Sequence, residues 1–128
     1  MSNFLPYSRQ SINKDDINEV IKVLKSDYLT QGPNLEKFEF NFKKKVKSKY
    51  CLAISSATAG LHLSCLSLDL KKGDFLWTVP NSFVASANCG LFCDAKVSFV
   101  DIDEFTFNID IKLLKKRLVT AKKKNKIP

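Results

Sequence analysis

The sequence predicts an α/β fold, a mainly parallel sheet flanked by helices, and three observations carry that reading. Short apolar runs at residues 50–54, 75–79 and 96–100 have the length and β-branched or aromatic content of buried strands. Between them lie stretches with apolar residues at helical spacing. Turn chemistry separates the two kinds of segment, as at Lys71-Lys72-Gly73-Asp74. Strands that alternate with helices imply βαβ units, whose crossovers make neighbouring strands parallel.

The elements follow in order. Asn13 with Asp15 and Asp16 supplies a cap and first-turn acids for a helix whose apolar positions are Ile17, Val20, Ile21 and Leu24, ending near Ser26. Gln31-Gly32-Pro33 is a turn, after which Leu35, Phe38, Phe42 and Val46 recur at helical spacing with lysines turned outward. The strand at 50–54 hands over at Ser55–Ala57 to a helix carrying Leu61, Leu63, Leu66 and Leu68. A strand at 75–79, a helix over 81–93, a strand at 96–100 and a helix over 110–119, capped by Asp110, complete the chain. No repeat or low-complexity segment interrupts it apart from the lysine-rich end.

Composition narrows the function classes. The chain of 128 residues has a formal charge of +8, which invites a nucleic-acid reading. Residues 110–128 carry eight basic residues against one acid, whereas the rest is nearly neutral. The basic end is rich in lysine, has no aromatic residues for stacking, and reads as a solvated helix face plus a surface loop, so no nucleic-acid partner is expected. Four cysteines (51, 65, 89 and 93) in apolar surroundings, with no secretory signal before them, suit a reduced cytoplasm and core packing. His62 is the single histidine and paired Cys-x-x-Cys sites are absent, so no metal site is expected. No apolar run approaches the ~20 residues that cross a bilayer.

The most informative motif is Ser55-Ser56-Ala57-Thr58-Ala59-Gly60-Leu61, at a strand-to-helix junction. The first turn of a helix has unpaired N–H groups and the positive end of the macrodipole, so small residues there admit a phosphate to the backbone and hydroxyls add donors. The same residues also serve as an ordinary helix cap. Ligands of such sheets lie beyond the carboxyl ends of the strands, which brings this loop and Val79-Pro80-Asn81-Ser82-Phe83 to one edge.

Five blocks stand in one order: Leu5-Pro6-Tyr7-Ser8-Arg9-Gln10, the 26–33 segment with Leu29-Thr30-Gln31-Gly32, the Ser-Ser-Ala-Thr loop, residues 79–88, and Phe99–Asp103 with Asn108-Ile109-Asp110. Together they resemble the DegT/DnrJ/EryC1/StrS family of pyridoxal-phosphate-dependent sugar aminotransferases. The finer likeness is to the branch that aminates C4 of a UDP-linked 4-keto-6-deoxy-N-acetyl sugar on the pseudaminic acid route to surface polysaccharide. The resemblance implies the N-terminal part of a fold-type I large domain. Residues 1–33 would form an N-terminal helix and substrate-facing loop segment, and residues 34–128 an incomplete cofactor domain truncated at its C-terminal end.

By the same resemblance, Ala57 and Thr58 bind the cofactor phosphate, with Ala57 standing where many relatives have glycine, a change tolerable if the backbone is helical. Phe83 covers one face of the pyridine ring. Tyr7, Leu29, Thr30 and Gln31 face the nucleotide sugar, often across a homodimer interface. Asp101 and Asp103, paired carboxylates in appearance, fall in a block that is chiefly structural. The Schiff-base lysine and the aspartate at the ring nitrogen match nothing here, so no catalytic residue is expected and the chain alone should be inactive. The complete enzyme would use pyridoxal phosphate, an amino donor such as glutamate and a nucleotide-linked keto sugar. The alternative is a truncated, non-catalytic relative serving as an interaction module.

Overall fold

The computed structural model describes residues 5–124 and divides at Ala53/Ile54 into two compact units. Lys126 and the last residues of the basic end lie outside the described residues.

The first unit holds α1 (Lys14–Leu24) and α2 (Pro33–Val46). The Asn13 side chain accepts from the N–H groups of Asp15 and Asp16 at 2.7 and 3.1 Å, and its own N–H donates to Asp16 Oδ2 at 2.9 Å, a complete capping box. At α2 the entry turn needs glycine. A β-carbon on Gly32 would lie 2.5 Å from Tyr28 Cβ, and Pro33 then takes the first helical position, where its missing N–H costs nothing. Neither helix has a buried residue: Ile17, Val20, Leu24, Phe38, Phe40 and Phe42 are all exposed.

The strand expected over 50–54 does not form; among the described residues these five have no strand pairing. A strand needs a neighbour for its main-chain groups. The Ala53 N–H instead donates to Glu39 Oε1 at 2.7 Å, tying the segment to α2.

The second unit contains α3 (Ala57–Ser67), β1 (Phe75–Thr78), α4 (Ala85–Leu91), β2 (Lys96–Phe99) and α5 (Ile111–Lys123). The strands β1 and β2 pair in parallel, with Phe75 opposite Lys96 and Thr78 opposite Phe99, as the alternation of elements predicts. Helix α4 lies on the face that carries Leu76 and Val97. A β-carbon at Gly90 would stand 2.9 Å from Val97 Cγ2 and 3.1 Å from Leu76 Cβ, so the approach depends on glycine. The other face carries Trp77 and Ser98 and is covered from α5 by Arg117. Its guanidinium lies 4.6 Å from the Trp77 ring centroid and donates to Ser98 Oγ and to the Phe99 carbonyl.

Two boundaries differ from expectation. Helix α4 starts at Ala85 rather than 81, because the first bonds after Pro80 are tight three-residue turns (Ser86 N–H to Phe83 C=O, 2.9 Å) and Ser82 Oγ lies 2.7 Å from Ser86 Oγ. Helix α5 continues to Lys123, so the lysines expected in a loop after Val119 extend its solvated face as far as that residue.

The buried residues among those described are Cys65, Ala85, Cys89, Gly90, Cys93, Ala95, Val100 and Ala121, all in the second unit. Cys65, Cys89 and Cys93 form one cluster with Leu70 and Leu76 beside it, which is the core role expected of them, while Cys51 is only half-buried. Burial, and then the neighbouring Cys89 and Cys93, push the Cys65 thiol from 9.0 up to about 11.

Two outcomes follow. Gly90→Ala should cost about 1 kcal/mol by denaturant unfolding, since ~1–3 kcal/mol of overpacking exceeds the ~1 kcal/mol gained in helix propensity. Gly60→Ala meets only the flexible tip of Ile54 and should cost less. For the cysteines, a thiol reagent should label Cys51 first and Cys65 only on unfolding. Because folding raises the Cys65 pKa, its stabilising contribution is complete below pH 9.0 and is lost as pH rises toward about 11, which a stability–pH titration with Cys65→Ala as control measures.

Candidate cofactor and substrate site

The turn into α3 is built as the sequence implies. Ser56 is the N-cap, extended at φ −163°, and its hydroxyl accepts from the Ala59 N–H at 3.2 Å. The Gly60 N–H bonds to the Ser56 carbonyl at 3.1 Å, so intrahelical pairing begins there. The N–H groups of Ala57 and Thr58 have no acceptor among the described residues. Ala57 is exposed, Thr58 half-buried, and neither has a positive φ, so the methyl of Ala57 sits on helical backbone without strain. Two unpaired donors, a hydroxyl and the positive end of an 11-residue helix therefore share one turn.

Because β1 and β2 are parallel, the loops that leave them share one edge of the sheet. One is the 79–84 loop with Phe83, whose ring is 75 % exposed and thus outside the sheet–helix core. The other is a small hairpin over residues 101–110, closed by the Ile102–Ile109 bridge and by the Asp110 N–H donating to the Asp101 carbonyl at 2.9 Å. The 55–58 turn is not attached to this edge by strand pairing, since 50–54 is no strand. It is held through α3, which packs on α4 by way of the cysteine cluster and an edge-on contact of His62 with Phe92 at 5.3 Å.

The two aspartates serve the hairpin. Asp103 Oδ1 accepts from the Phe105 N–H, the Thr106 N–H and the Thr106 hydroxyl at 3.1, 2.8 and 3.0 Å, and the Thr106 bonds hold its carboxyl below the usual range. Asp101 Oδ1 accepts from the Ile102 N–H at 2.8 Å, and Asp110 caps α5 through the N–H groups of Lys112 and Leu113 at 2.7 and 3.0 Å.

Tyr7, Leu29, Thr30 and Gln31 belong to the first unit and are exposed, with Gln31 at φ +49° before Gly32. The grooves along β1, between β1–β2 and α5, and over the hairpin are lined by other residues; Ala57, Thr58 and Phe83 line none of these. They form an open rim. Arg117 escaped the sequence reading, which counted it with the basic end. It is the one arginine among those lysines, and a planar fork that stacks on an aromatic ring is the signal that distinguishes it.

A family model described as the DegT/DnrJ/EryC1/StrS aminotransferase family matches residues 10–128. The chain belongs to this family. It is 42 % identical over 126 residues to protein MJ1066 of Methanocaldococcus jannaschii, covering 98 % of the chain and 32 % of the relative. It is 38 % identical over 128 residues to the spore coat polysaccharide biosynthesis protein SpsC of Bacillus subtilis, covering 99 % of the chain and 32 % of SpsC. The chain thus spans about a third of the length of these relatives. Among solved structures, E. coli GDP-4-keto-6-deoxy-D-mannose-3-dehydratase with bound hydrated PLP is similar over 87 % of the chain and 30 % of its own, at 30 % identity and a TM-score of 0.79.

Thr106→Ala should move the Asp103 pKa up toward the ordinary carboxylate value, measured by NMR titration. Asp103 has a lowered pKa when folded, so its contribution is present above about pH 4 and is lost as pH falls through the folded value.

Proposed function

We propose that this chain is the phosphate-cradling N-terminal part of a pyridoxal-phosphate-dependent enzyme that aminates a nucleotide-linked keto sugar. The carrying observation is the pair of unpaired N–H groups on Ala57 and Thr58 at the α3 N-terminus, in a family with a solved relative that has PLP bound. The residues fit the group. Ala57 and Thr58 bind its phosphate through main-chain N–H groups and the Thr58 hydroxyl, and the exposed Phe83 ring stacks on one face of the pyridine. Pyridoxal phosphate supplies an electron sink when bound. These residues anchor and orient it; no residue among them moves a proton or attacks the substrate.

Residues 1–33 form the substrate-facing segment in this reading, with Tyr7, Leu29, Thr30 and Gln31 toward the nucleotide sugar, and residues 34–128 the cofactor part. Exposure of all four side chains supports it. The Leu29-Thr30-Gln31-Gly32 and Ser56-Ala57-Thr58 blocks support a UDP-linked 4-keto-6-deoxy-N-acetyl sugar as acceptor, with glutamate as donor, in a pseudaminic acid route. The complete enzyme is a cytoplasmic homodimer in this reading; the free thiols support that compartment. The Schiff-base lysine is supplied from outside these 128 residues, and this chain alone is inactive.

Similarity to a 3-dehydratase over the same segment favours a second reading, elimination at the sugar in place of amino transfer. The product distinguishes them: an amino sugar that carries the donor nitrogen, or a sugar that has lost an oxygen and carries no new nitrogen.

The test is titration of the purified chain with pyridoxal phosphate and with phosphate-free pyridoxal, followed by borohydride reduction. Binding should require the phosphate and weaken about tenfold in Phe83→Ala, equivalent to ~1.4 kcal/mol. No single lysine should be labelled stoichiometrically. Equal binding of the two compounds, or stoichiometric labelling of one lysine together with amino transfer, overturns the reading.

A further inference from the structure

The groove between the sheet and α5 collects positive charge where a covered face of a parallel sheet is ordinarily apolar. Side chains alternate along a strand, so Phe75 and Trp77 of β1 share one face with Lys96 and Ser98 of β2. Arg117 and Thr120 of α5 and its C-cap Lys124 stand three and four residues apart, which puts them on one side of the helix. Phe75, Trp77, Lys96, Arg117, Thr120 and Lys124 together line a groove of about 360 Å³. Small-molecule sites measure about 300–1,000 Å³.

The cations of this groove have no carboxylate. The ion pairs among the described residues are Lys22–Glu19 and Lys71–Asp69, so Lys96, Arg117 and Lys124 take part in none. Lys96 Nζ lies 5.6 Å from the Phe75 ring centroid, and the Arg117 guanidinium 4.6 Å from that of Trp77. Arg117 donates to Ser98 Oγ and the Phe99 carbonyl, both neutral, which leaves its charge uncompensated and further N–H groups to donate. Arg117 is half-buried, and a cation partly withdrawn from water gains more from an anion than an exposed one does.

We propose that this groove binds a nucleotide, its phosphates on Arg117, Lys96 and Lys124 and its base along the Phe75–Trp77 floor. The occupant is argued from charge and shape. Three cations without an acid select an anion, and a guanidinium fork with two ammonium groups suits phosphate oxygens. A bare phosphate would leave most of this volume empty, whereas a planar base stacks on aromatic side chains of any sequence context. None of Ala57, Thr58 and Phe83 lines the groove, so the proposal does not rest on the cofactor reading.

The experiment is an NMR titration of the full chain with adenosine diphosphate. It is read at the indole N–H of Trp77, the single tryptophan of the chain, and at the amides of Lys96 and Arg117. These signals should shift saturably. Adenosine and inorganic pyrophosphate should each bind at least tenfold more weakly, because each offers only part of the contacts. Lys96→Gln combined with Lys124→Gln, both at exposed positions, should weaken binding about tenfold and leave the rest of the spectrum in place. Arg117→Lys, which keeps the charge and loses the fork, should weaken it as well. Pyrophosphate bound as tightly as the nucleotide marks an unspecific basic patch and overturns the proposal. Tighter binding of a short oligothymidylate marks a surface for single-stranded nucleic acid and also overturns it. So do the absence of a saturable Trp77 shift, movement confined to Ala57 and Thr58, or undiminished binding by the double lysine variant. The readout lies at Trp77, Lys96 and Arg117 without cofactor, so its failure leaves the cofactor reading standing.

Discussion

A β-carbon at position 90 would sit 2.9 Å from Val97 Cγ2 and 3.1 Å from Leu76 Cβ, and its absence lets α4 lie directly on both strands. That approach brings Cys89 and Cys93 down to Cys65 of α3 and sets Ala85 and Ala95 into the core. The buried set is small in volume because the layers are close: three alanines, three cysteines and Val100 fill a space that larger side chains would force apart. Arg117 completes the arrangement from the other face. It stacks on Trp77 and ends the ladder at Phe99, so one side chain joins α5 to both strands.

Such a core removes little apolar area from water. At ~25 cal/mol per Å², alanine and cysteine side chains contribute far less than the leucines and phenylalanines that remain exposed on α1, α2 and α3. Helices of 11 and 14 residues are marginal in water on their own, and the first unit has no buried residue among those described to reinforce them. The caps matter more under those conditions. The Asn13 box and the Pro33 start fix where the helices begin without tertiary help. Their apolar stripes are a pattern written for a surface that these residues do not themselves provide.

Legibility in the sequence follows the same division between local and non-local physics. Asn13, Ser56 and Asp110 are readable as helix caps because a cap is decided within four residues, whereas Pro33, read as part of a turn, is the first residue of α2. β1 and β2 were readable because their partner is one crossover away. Residues 50–54 have the same strand composition and no strand, since composition does not supply a neighbour. The Ser55–Thr58 turn is likewise local, and its unpaired donors follow from helix geometry alone. Its relation to the 79–84 loop was reasoned through a shared sheet edge; the actual link is through α3 on α4, a packing contact that no short motif encodes. Arg117 was hidden for the same reason, because its meaning lies in Trp77, forty positions earlier in the chain.

What these residues contain is also what unlike reactions in the family have in common. Similarity both to a polysaccharide biosynthesis protein and to a sugar 3-dehydratase does not by itself choose between adding nitrogen and removing oxygen. In the proposed reading, the α3 N-terminus and the exposed Phe83 ring would be indifferent to that choice, because they would hold parts of the cofactor that do not change during reaction. Groups that discriminate must reach the reacting carbon, and interactions confined to the ground state do not select a transition state. The separation is physical as well as formal: anchoring is built from main-chain donors that any sequence with small residues supplies, whereas chemistry requires a particular side chain at one place. A scaffold that anchors without reacting can therefore be shared across a family while the residues that decide the reaction vary elsewhere.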